Sequence, residues 1–200
     1  MNCGTLVSCA LDVTLMQVRL SEFSNKGFSR GRPLVVELLW LLVQAAFVSS
    51  WLPGSSHRCF LLRMFGARIG NGVNIKPGVR VKFPWRLHVG DHSWIGEDVW
   101  IDDLDDVWIG SNCCLSQGAY LCTGSHDWAK PSFDLRTGPI RVEDGAWIAA
   151  RASVGPGVTI GEGAVLCLGS TATRNLPPWT INSGVPASVK GSRRAICSAS

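Results

Sequence analysis

Four histidines, His57, His88, His92 and His126, and a run of four carboxylates, Asp102, Asp103, Asp105 and Asp106, are the groups from which acid–base chemistry or polar binding would be built. An imidazole with its ordinary pKa of about 6.5 offers a neutral base near pH 7. Carboxylates accept hydrogen bonds from hydroxyl groups and serve equally well as solvated turn acids, so both readings of the aspartate run stand. His88 and His92 are the sole close pair of histidines. Eight cysteines, at positions 3, 9, 59, 113, 114, 122, 167 and 197, form no CxxC pair and no paired framework. They read as reduced structural thiols in a cytoplasmic protein. By spacing alone a lone histidine is more often an uncommitted side chain than a functional one. His126, in TGSHD, has a setting that favours function, and that setting depends on the elements around it.

The element that must position these groups is a repeat of six. From Val142 to Asn175, bulky aliphatics fall at Val142, Ile148, Val154, Ile160 and Leu166, with Ala146, Ala152, Val158 and Ala164 two residues before each next one. A period of six suits neither a 3.6-residue helix nor a two-faced strand, so the repeat itself is the structural unit. Short strands joined by tight turns and wound into a prism place every sixth side chain inside, which predicts a parallel β-helix. Gly157 and Gly163 fall where its turns need positive φ. The same step runs through Ile69, Ile75, Val81 and Leu87, slips by two, and resumes through Val89, Ile95, Ile101 and Val107. After another slip of two it continues through Ile109, Leu115 and Leu121. Of these seventeen in-step positions, sixteen are Val, Ile or Leu, and Ala172 is the exception. The step fails at length only between Leu121 and Val142, where HDWAKPSFDLRTGPI reads as a loop thrown out of the prism. Loops on rigid scaffolds carry function disproportionately, and His126 stands at the root of this one.

Two hundred residues, 46% hydrophobic and 17% charged, allow one substantial domain plus an appendage. The formal charge of +4 is too modest to indicate a nucleic-acid partner. The expected division is an N-terminal segment over 1–66, a β-helix over 67–187 with its loop at 127–141, and a basic tail over 188–200. Asp12 interrupts the first apolar run and no cationic region precedes it, which argues against a cleaved secretory signal. DVTLMQVRL partly alternates and predicts an edge strand, and SNKGFSRGR predicts a basic loop. PLVVELLWLLVQAAFVSSW, from Pro33 to Trp51, predicts a helix with Pro33 as its first residue and Pro53-Gly54 as its stop. Glu37 and Gln44 weigh against a membrane span and favour a helix packed on its own protein, or one lying in the membrane interface, over a spanning one. A second short helix, capped by Ser55 or Ser56, carries Phe60, Leu61, Met64 and Phe65 and ends at Gly66.

LLRMFGARIG at 61–70, KPGVRVKFPW at 76–85, SQGAYLCTGSHD at 116–127 and PPWTINSGVPA at 177–187, together with the repeat, resemble the hexapeptide-repeat O-acetyltransferases. Among these the match is closer to the colanic-acid-type exopolysaccharide acetyltransferases than to the galactoside and maltose enzymes, and it covers about residues 20–191. The resemblance implies a left-handed β-helix and transfer of an acetyl group from acetyl-CoA to a sugar hydroxyl, with no metal. It implies a homotrimer with active sites between subunits, a role in surface or exopolysaccharide biosynthesis, and His126 as general base. Asp103 and Asp127 are the candidate acceptor-binding residues, and capping of the loop is the alternative for Asp127.

On the cofactor side the resemblance places Trp147 and Ala150 beside the acyl arm and Leu168 along the pantetheine. Thr173 and Arg174 stand where the family has Thr-Lys near the nucleotide. Ala149, Cys167 and Leu168 replace smaller family residues, and Ser188 replaces a basic one, for which Lys190, Arg193 or Arg194 would substitute. Cys122 as an acyl carrier is a distinct route. Two other classes remain: a metal-dependent hydratase on the same prism, which requires three histidines at each interface, and a non-enzymatic scaffold. The expected location is cytoplasmic, with residues 33–51 as a possible peripheral contact at the inner face of the membrane.

Overall fold

The computed structural model describes residues 16–193. The aliphatic step becomes a prism of three parallel sheets. The first face stacks Arg68–Ile69, Leu87–Val89, Val107–Ile109, Ile140–Val142 and Thr159–Ile160. The second stacks Asn74–Ile75, Trp94–Ile95, Cys114–Leu115, Trp147–Ile148 and Val165–Leu166, then Thr180–Gly184 and the antiparallel Ala187–Ser192. The third stacks Arg80–Val81, Trp100–Asp102, Tyr120–Cys122, Ser153–Val154 and Thr171–Ala172. The chain visits first, second and third faces in turn, and each coil hydrogen-bonds to the next, as Trp94 N to Cys113 O at 2.8 Å and Cys114 N to Ala146 O at 3.0 Å.

All seventeen in-step residues are buried, and so are Ala146, Ala152, Val158 and Ala164. Each fully buried Val, Ile or Leu contributes on the order of 1.5–3 kcal/mol relative to exposure, so the column is the main stabilising feature of the prism. Gly157 and Gly163 adopt φ of +74° and +61°. Non-glycine residues occupy other left-handed corner positions, among them Asn112 at φ 55° and Arg151 at φ 55°.

Both two-residue slips fall on the same edge, where the third face turns into the first. There Pro84–Arg86 forms a 3-10 turn in one coil and Asp103–Asp106 bridges the strands in the next. The long excursion leaves from this edge in the third coil. All insertions therefore gather on one edge, and the other two edges remain regular.

Helix α1 (Leu34–Val43) continues through a π-turn at Gln44–Val48 and closes the open end of the first coil. That coil exposes backbone groups with no lower neighbour, and polar side chains satisfy them. Trp40 Nε1 donates to Val81 O at 2.8 Å, Gln44 Oε1 accepts from Val81 N at 2.6 Å, and Ser49 Oγ donates to Val79 O at 2.8 Å. Helix α2 (Ser56–Met64) packs beside it, with Trp40 and Phe65 ring centroids 5.1 Å apart. The fully buried Arg58 donates to Val48 O at 2.9 Å, Ser50 O at 2.6 Å, Leu52 O at 2.8 Å and Gly54 O. Its guanidinium thus ties down the carbonyls at the end of the first helix, where a cation is favoured.

Several local expectations are corrected. Pro33 is the residue before α1 rather than its first residue. Residues 16–19 of the expected edge strand form no strand, and 12–15 lie outside the described residues, as does Arg194. Ser55 makes no side-chain cap to α2; its hydroxyl accepts from Ile75 N at 2.7 Å, because the adjacent coil edge offers a stronger demand. The expected basic tail begins too early: Ala187–Ser192 pairs with Thr180–Gly184, which gives the last coil a partner.

Candidate active site

The excursion is a hairpin. Strand Gly124–His126 runs antiparallel to Leu135–Thr137, with His126 opposite Leu135 and Gly124 opposite Thr137. Residues directly opposite share a face of a two-stranded ribbon, so His126, Leu135 and Thr137 lie on one side of it. The imidazole is held by Phe133. Nδ1 lies 2.9 Å from Phe133 O, and the two rings stack with centroids 4.3 Å apart and planes within 6°. Phe133 takes a positive φ of 49°. A carbonyl only accepts, so this contact puts the proton of a neutral imidazole on Nδ1 and leaves the Nε2 lone pair free. The Phe23 ring closes on the imidazole from the N-terminal segment, 5.9 Å between centroids.

Asp127 takes the capping role. Its carboxylate accepts from Arg136 Nη2 at 2.6 Å and from Ala129 N at 3.2 Å, with Lys130 Nζ at 3.7 Å. Burial works to raise this carboxyl, but the Arg136 and Ala129 hydrogen bonds and the Arg136 and Lys130 charges outweigh it and hold it below the ordinary carboxylate range. Each oxygen accepts a hydrogen bond within the hairpin, which supports the capping alternative for Asp127.

The expectation of an acceptor contact is corrected at Asp103. It is fully buried and accepts from Phe83 N at 2.8 Å, fastening the first slip to the second. Burial pushes its carboxyl up to about 8, against the lowering effect of the Phe83, Asp103 and Lys82 amides and with the charge of Asp102 adding to the rise. A side chain with no access to solvent does not meet an acceptor. Asp105, two residues further on, does line a cavity.

That cavity, about 450 Å³, lies between the N-terminal segment and the hairpin. Asn25, Lys26 and Ser29 line one side, Arg86 and Asp105 the insertion edge, and Leu135 and Thr137 the hairpin. Arg86 is already committed, donating to Leu104 O and Ser29 O and lying over the Phe28 ring. It anchors the strap that roofs the cavity. Leu135 and Thr137 share their ribbon face with His126, so the polar cavity and the imidazole are neighbours. The reading of SNKGFSRGR as a basic loop missed this. Nothing local links residues 25–29 to position 126, and the only signal was the presence of polar groups and glycines in an otherwise featureless stretch.

A second cavity, about 320 Å³, lies on the opposite edge of the third face, where the second face turns into it. Ser116, Gln117, Trp147, Ala149, Ala150 and Leu168 line it, and its walls are mainly apolar. Trp147 Nε1 donates to Ser116 Oγ at 2.9 Å, which fixes the indole plane. Leu168 is 72% exposed and stands at the rim rather than filling the groove. The structure thus brings Trp147, Ala150 and Leu168 together. It does not bring Thr173, Arg174 or Lys190 to them: Thr173 and Arg174 are exposed on the insertion edge above the hairpin, and Lys190 is on the final strand. Arg193 donates to Gly145 O at 2.9 Å and Gly163 O at 3.1 Å and staples corner turns.

The other histidines do not converge. His88 stacks on Trp108 at 5.5 Å, with its pKa lowered by burial and by Arg68; His57 is on α2; and His92 is at a corner with φ 57°. Among the described residues no group of three or more His, Cys, Asp or Glu is placed to hold a metal ion.

A hexapeptide β-helix with one excursion carrying a tautomer-fixed histidine, and an apolar groove on another edge, defines the class of hexapeptide-repeat acetyltransferases. Over 173 residues the chain is 42% identical to the colanic acid biosynthesis acetyltransferase WcaF of Escherichia coli, covering 85% of this chain and 94% of that protein. The chain belongs to this family of colanic-acid-type acetyltransferases. No family model matches the sequence. Among the solved structures that share the fold are two acetyltransferases. One is a hexapeptide-repeat acetyltransferase of Vibrio cholerae complexed with acetyl-CoA, with TM-score 0.75, 22% identity, and 88% of this chain and 97% of that chain covered. The other is a maltose O-acetyltransferase of Clostridium difficile, with TM-score 0.75, 24% identity, and 88% and 96% covered.

Proposed function

We propose that this protein transfers an acetyl group from acetyl-CoA to a sugar hydroxyl in surface-polysaccharide synthesis, with His126 as general base. The observation that carries this reading is the Nδ1 contact to Phe133 O, which leaves Nε2 unprotonated on the ribbon face shared with the polar cavity. A sugar bound against Lys26, Asp105 and Thr137 presents a hydroxyl to Nε2. The hydroxyl proton passes to Nε2 as its oxygen bonds to the thioester carbonyl carbon. The resulting tetrahedral centre collapses with cleavage of the C–S bond, and the imidazolium returns its proton to the departing thiolate. A thiol of pKa about 8.5 is a good enough leaving group that no stronger acid is required.

The apolar groove fits the acyl arm, with Trp147 and Ala150 near the thioester and Leu168 along the pantetheine. Base and groove lie on different edges of one prism, so a complete site needs two chains. A closed ring of three satisfies this with identical interfaces, each pairing the His126 edge of one chain with the Trp147 edge of its neighbour. In that arrangement Thr173 and Arg174, on the same edge as His126, form the opposite wall, and Arg174 presents a planar cation to phosphate. Lys190 is a further candidate at the nucleotide end. The name of the E. coli relative supports a polysaccharide sugar as acceptor, and residues 33–51 support work beside a membrane.

The test is acetyl transfer from acetyl-CoA to a panel of free, nucleotide-linked and lipid-linked sugars. His126→Ala is expected to lower kcat by roughly 10²–10⁴-fold while acetyl-CoA still binds. Near-normal transfer by His126→Ala would remove the base assignment. A folded protein that binds no CoA would favour a scaffold.

A further inference from the structure

Helix α1 presents two apolar faces where a surface helix needs one. Its inner face, through Trp40, Gln44 and Val48, is pinned to the first coil. Its outer face consists of Leu34, Val35, Leu38, Leu42, Ala45 and Ala46, all exposed and without one polar side chain; Val35 and Leu42 are each 70% exposed. Its polar side chains are turned away from this face, Glu37 to Arg30 at 2.6 Å and Gln44 to Val81 N, and an apolar face of this extent marks a site that another surface covers. The surface continues through Trp51, 74% exposed, and Leu52, and α2 adds Phe60 and Met64. Phe60 and Met64 are four apart, so they project together from the side of α2 opposite its buried Cys59 and Leu62.

The charge of the chain identifies what covers it. Residues 30–82, which hold α1, α2 and the three strands of the first coil, contain 8 Lys and Arg against one acidic residue, Glu37. The end of the prism carrying this apolar face is therefore cationic. Arg32 immediately precedes the helix, and Arg63 and Arg68 flank Met64 and Gly66. Leu34–Val48 is about 22 Å long at 1.5 Å per residue, short of the roughly 30 Å hydrocarbon core, and no helix among the described residues is long and apolar enough to cross a membrane. An apolar helix fixed flat on a folded domain, beside basic residues, has the composition of an interfacial element.

We infer that the end of the prism formed by α1, residues 49–55 and α2 is a docking surface for an anionic phospholipid bilayer, with α1 lying in the plane of the headgroups. This rests on the membrane-proximal part of the proposed function and not on the acyl transfer. It sets the polarity of the bound protein: the first coil faces the lipid, and the acceptor cavity, lined by Arg86 from just after that coil, opens close to the bilayer.

The test is co-sedimentation of the full chain with vesicles of phosphatidylcholine mixed with phosphatidylglycerol, and of phosphatidylcholine alone. Binding to the mixed vesicles is expected, weakened at least about tenfold in Leu38→Ser/Leu42→Ser. Arg32→Glu is expected to lose roughly tenfold on mixed vesicles and little on neutral ones. Both changes are at exposed positions outside the catalytic and binding groups, so an unchanged melting temperature and unchanged acetyl transfer to a soluble acceptor verify that each variant is intact. Equal sedimentation of wild type and both variants would overturn the proposal. So would concentration-dependent self-association abolished by Leu38→Ser/Leu42→Ser in a protein that ignores vesicles, because a second copy would then be the occupant.

Discussion

With Nδ1 tied to Phe133 O at 2.9 Å, the basicity of His126 resides on Nε2, and its ring plane is set by the Phe133 stack. Phe133→Ala keeps the carbonyl and removes the stack. A face-to-face contact of this kind is worth about 0.5–1.5 kcal/mol, so kcat is expected to fall by up to roughly tenfold with acetyl-CoA KM unchanged. A second residue-scale prediction concerns Asp103. Its folded pKa, about 8, lies above the ordinary carboxylate value, so the native state keeps a proton that the unfolded chain has released. The stabilisation is complete below the unfolded value near 4 and is lost as pH rises towards 8, with a slope of up to ~1.4 kcal/mol per pH unit. Thermal melts of wild type between pH 5 and 8 should show this decline, and Asp103→Asn, which keeps an acceptor for the Phe83 amide, should flatten it.

The hairpin and the helical cap are elements whose shape depends on single polar side chains. Asp127 organises the hairpin turn through Arg136 and Ala129, and its depressed carboxyl means that this contribution is present above the ordinary carboxylate pKa and lost as pH falls through the lowered one. Asp127→Ala should reduce kcat, because Phe133 and His126 flank the turn it ties, while vesicle binding and acetyl-CoA affinity are retained. At the opposite end, Arg58→Met leaves the carbonyls of Val48, Ser50, Leu52 and Gly54 without their donor. Hydrogen bonds to a charged donor are worth about 1.5–3 kcal/mol each, and water recovers part of that, so a loss of roughly 3 kcal/mol in urea melts is expected. The in-step aliphatics behave as a column, and no one of them has this leverage.

In the whole molecule, His126 and the Trp147 groove occupy two edges separated by the third face, so on the proposed reading a complete site draws on two chains. Mixed oligomers test this directly. His126→Ala supplies an intact groove, and Ala150→Trp, which fills the groove, supplies an intact base; each homomer should be nearly inactive. Co-expressed and co-purified, the two should regain a measurable fraction of wild-type activity, because some interfaces pair the good edge of each chain. Absence of any recovery in verified mixed oligomers would mean that each chain works alone. The surplus of basic residues on α1, α2 and the first coil acts at this scale too, and on the proposed reading it orients the apolar end towards an anionic surface.

The coils were legible in the sequence because their determinant is local and periodic: every aliphatic from Ile69 to Leu166 that kept the step of six is buried. His126 was legible as the group at the one long break, through its place in TGSHD and the resemblance that motif carries. Neither told where the breaks would land. The two slips and the excursion share one edge only because of how many residues each coil consumes before it, and that count becomes geometry only once the chain is wound. Winding also sent Asp103 inside and Asp105 to a cavity two residues later, turned Gln44 from a polar blemish in an apolar helix into the cap on Val81 N, and brought residues 23–29 to a histidine a hundred positions away. A local period specifies which side chains face inward; which outward side chains meet is decided by the closure of the coils.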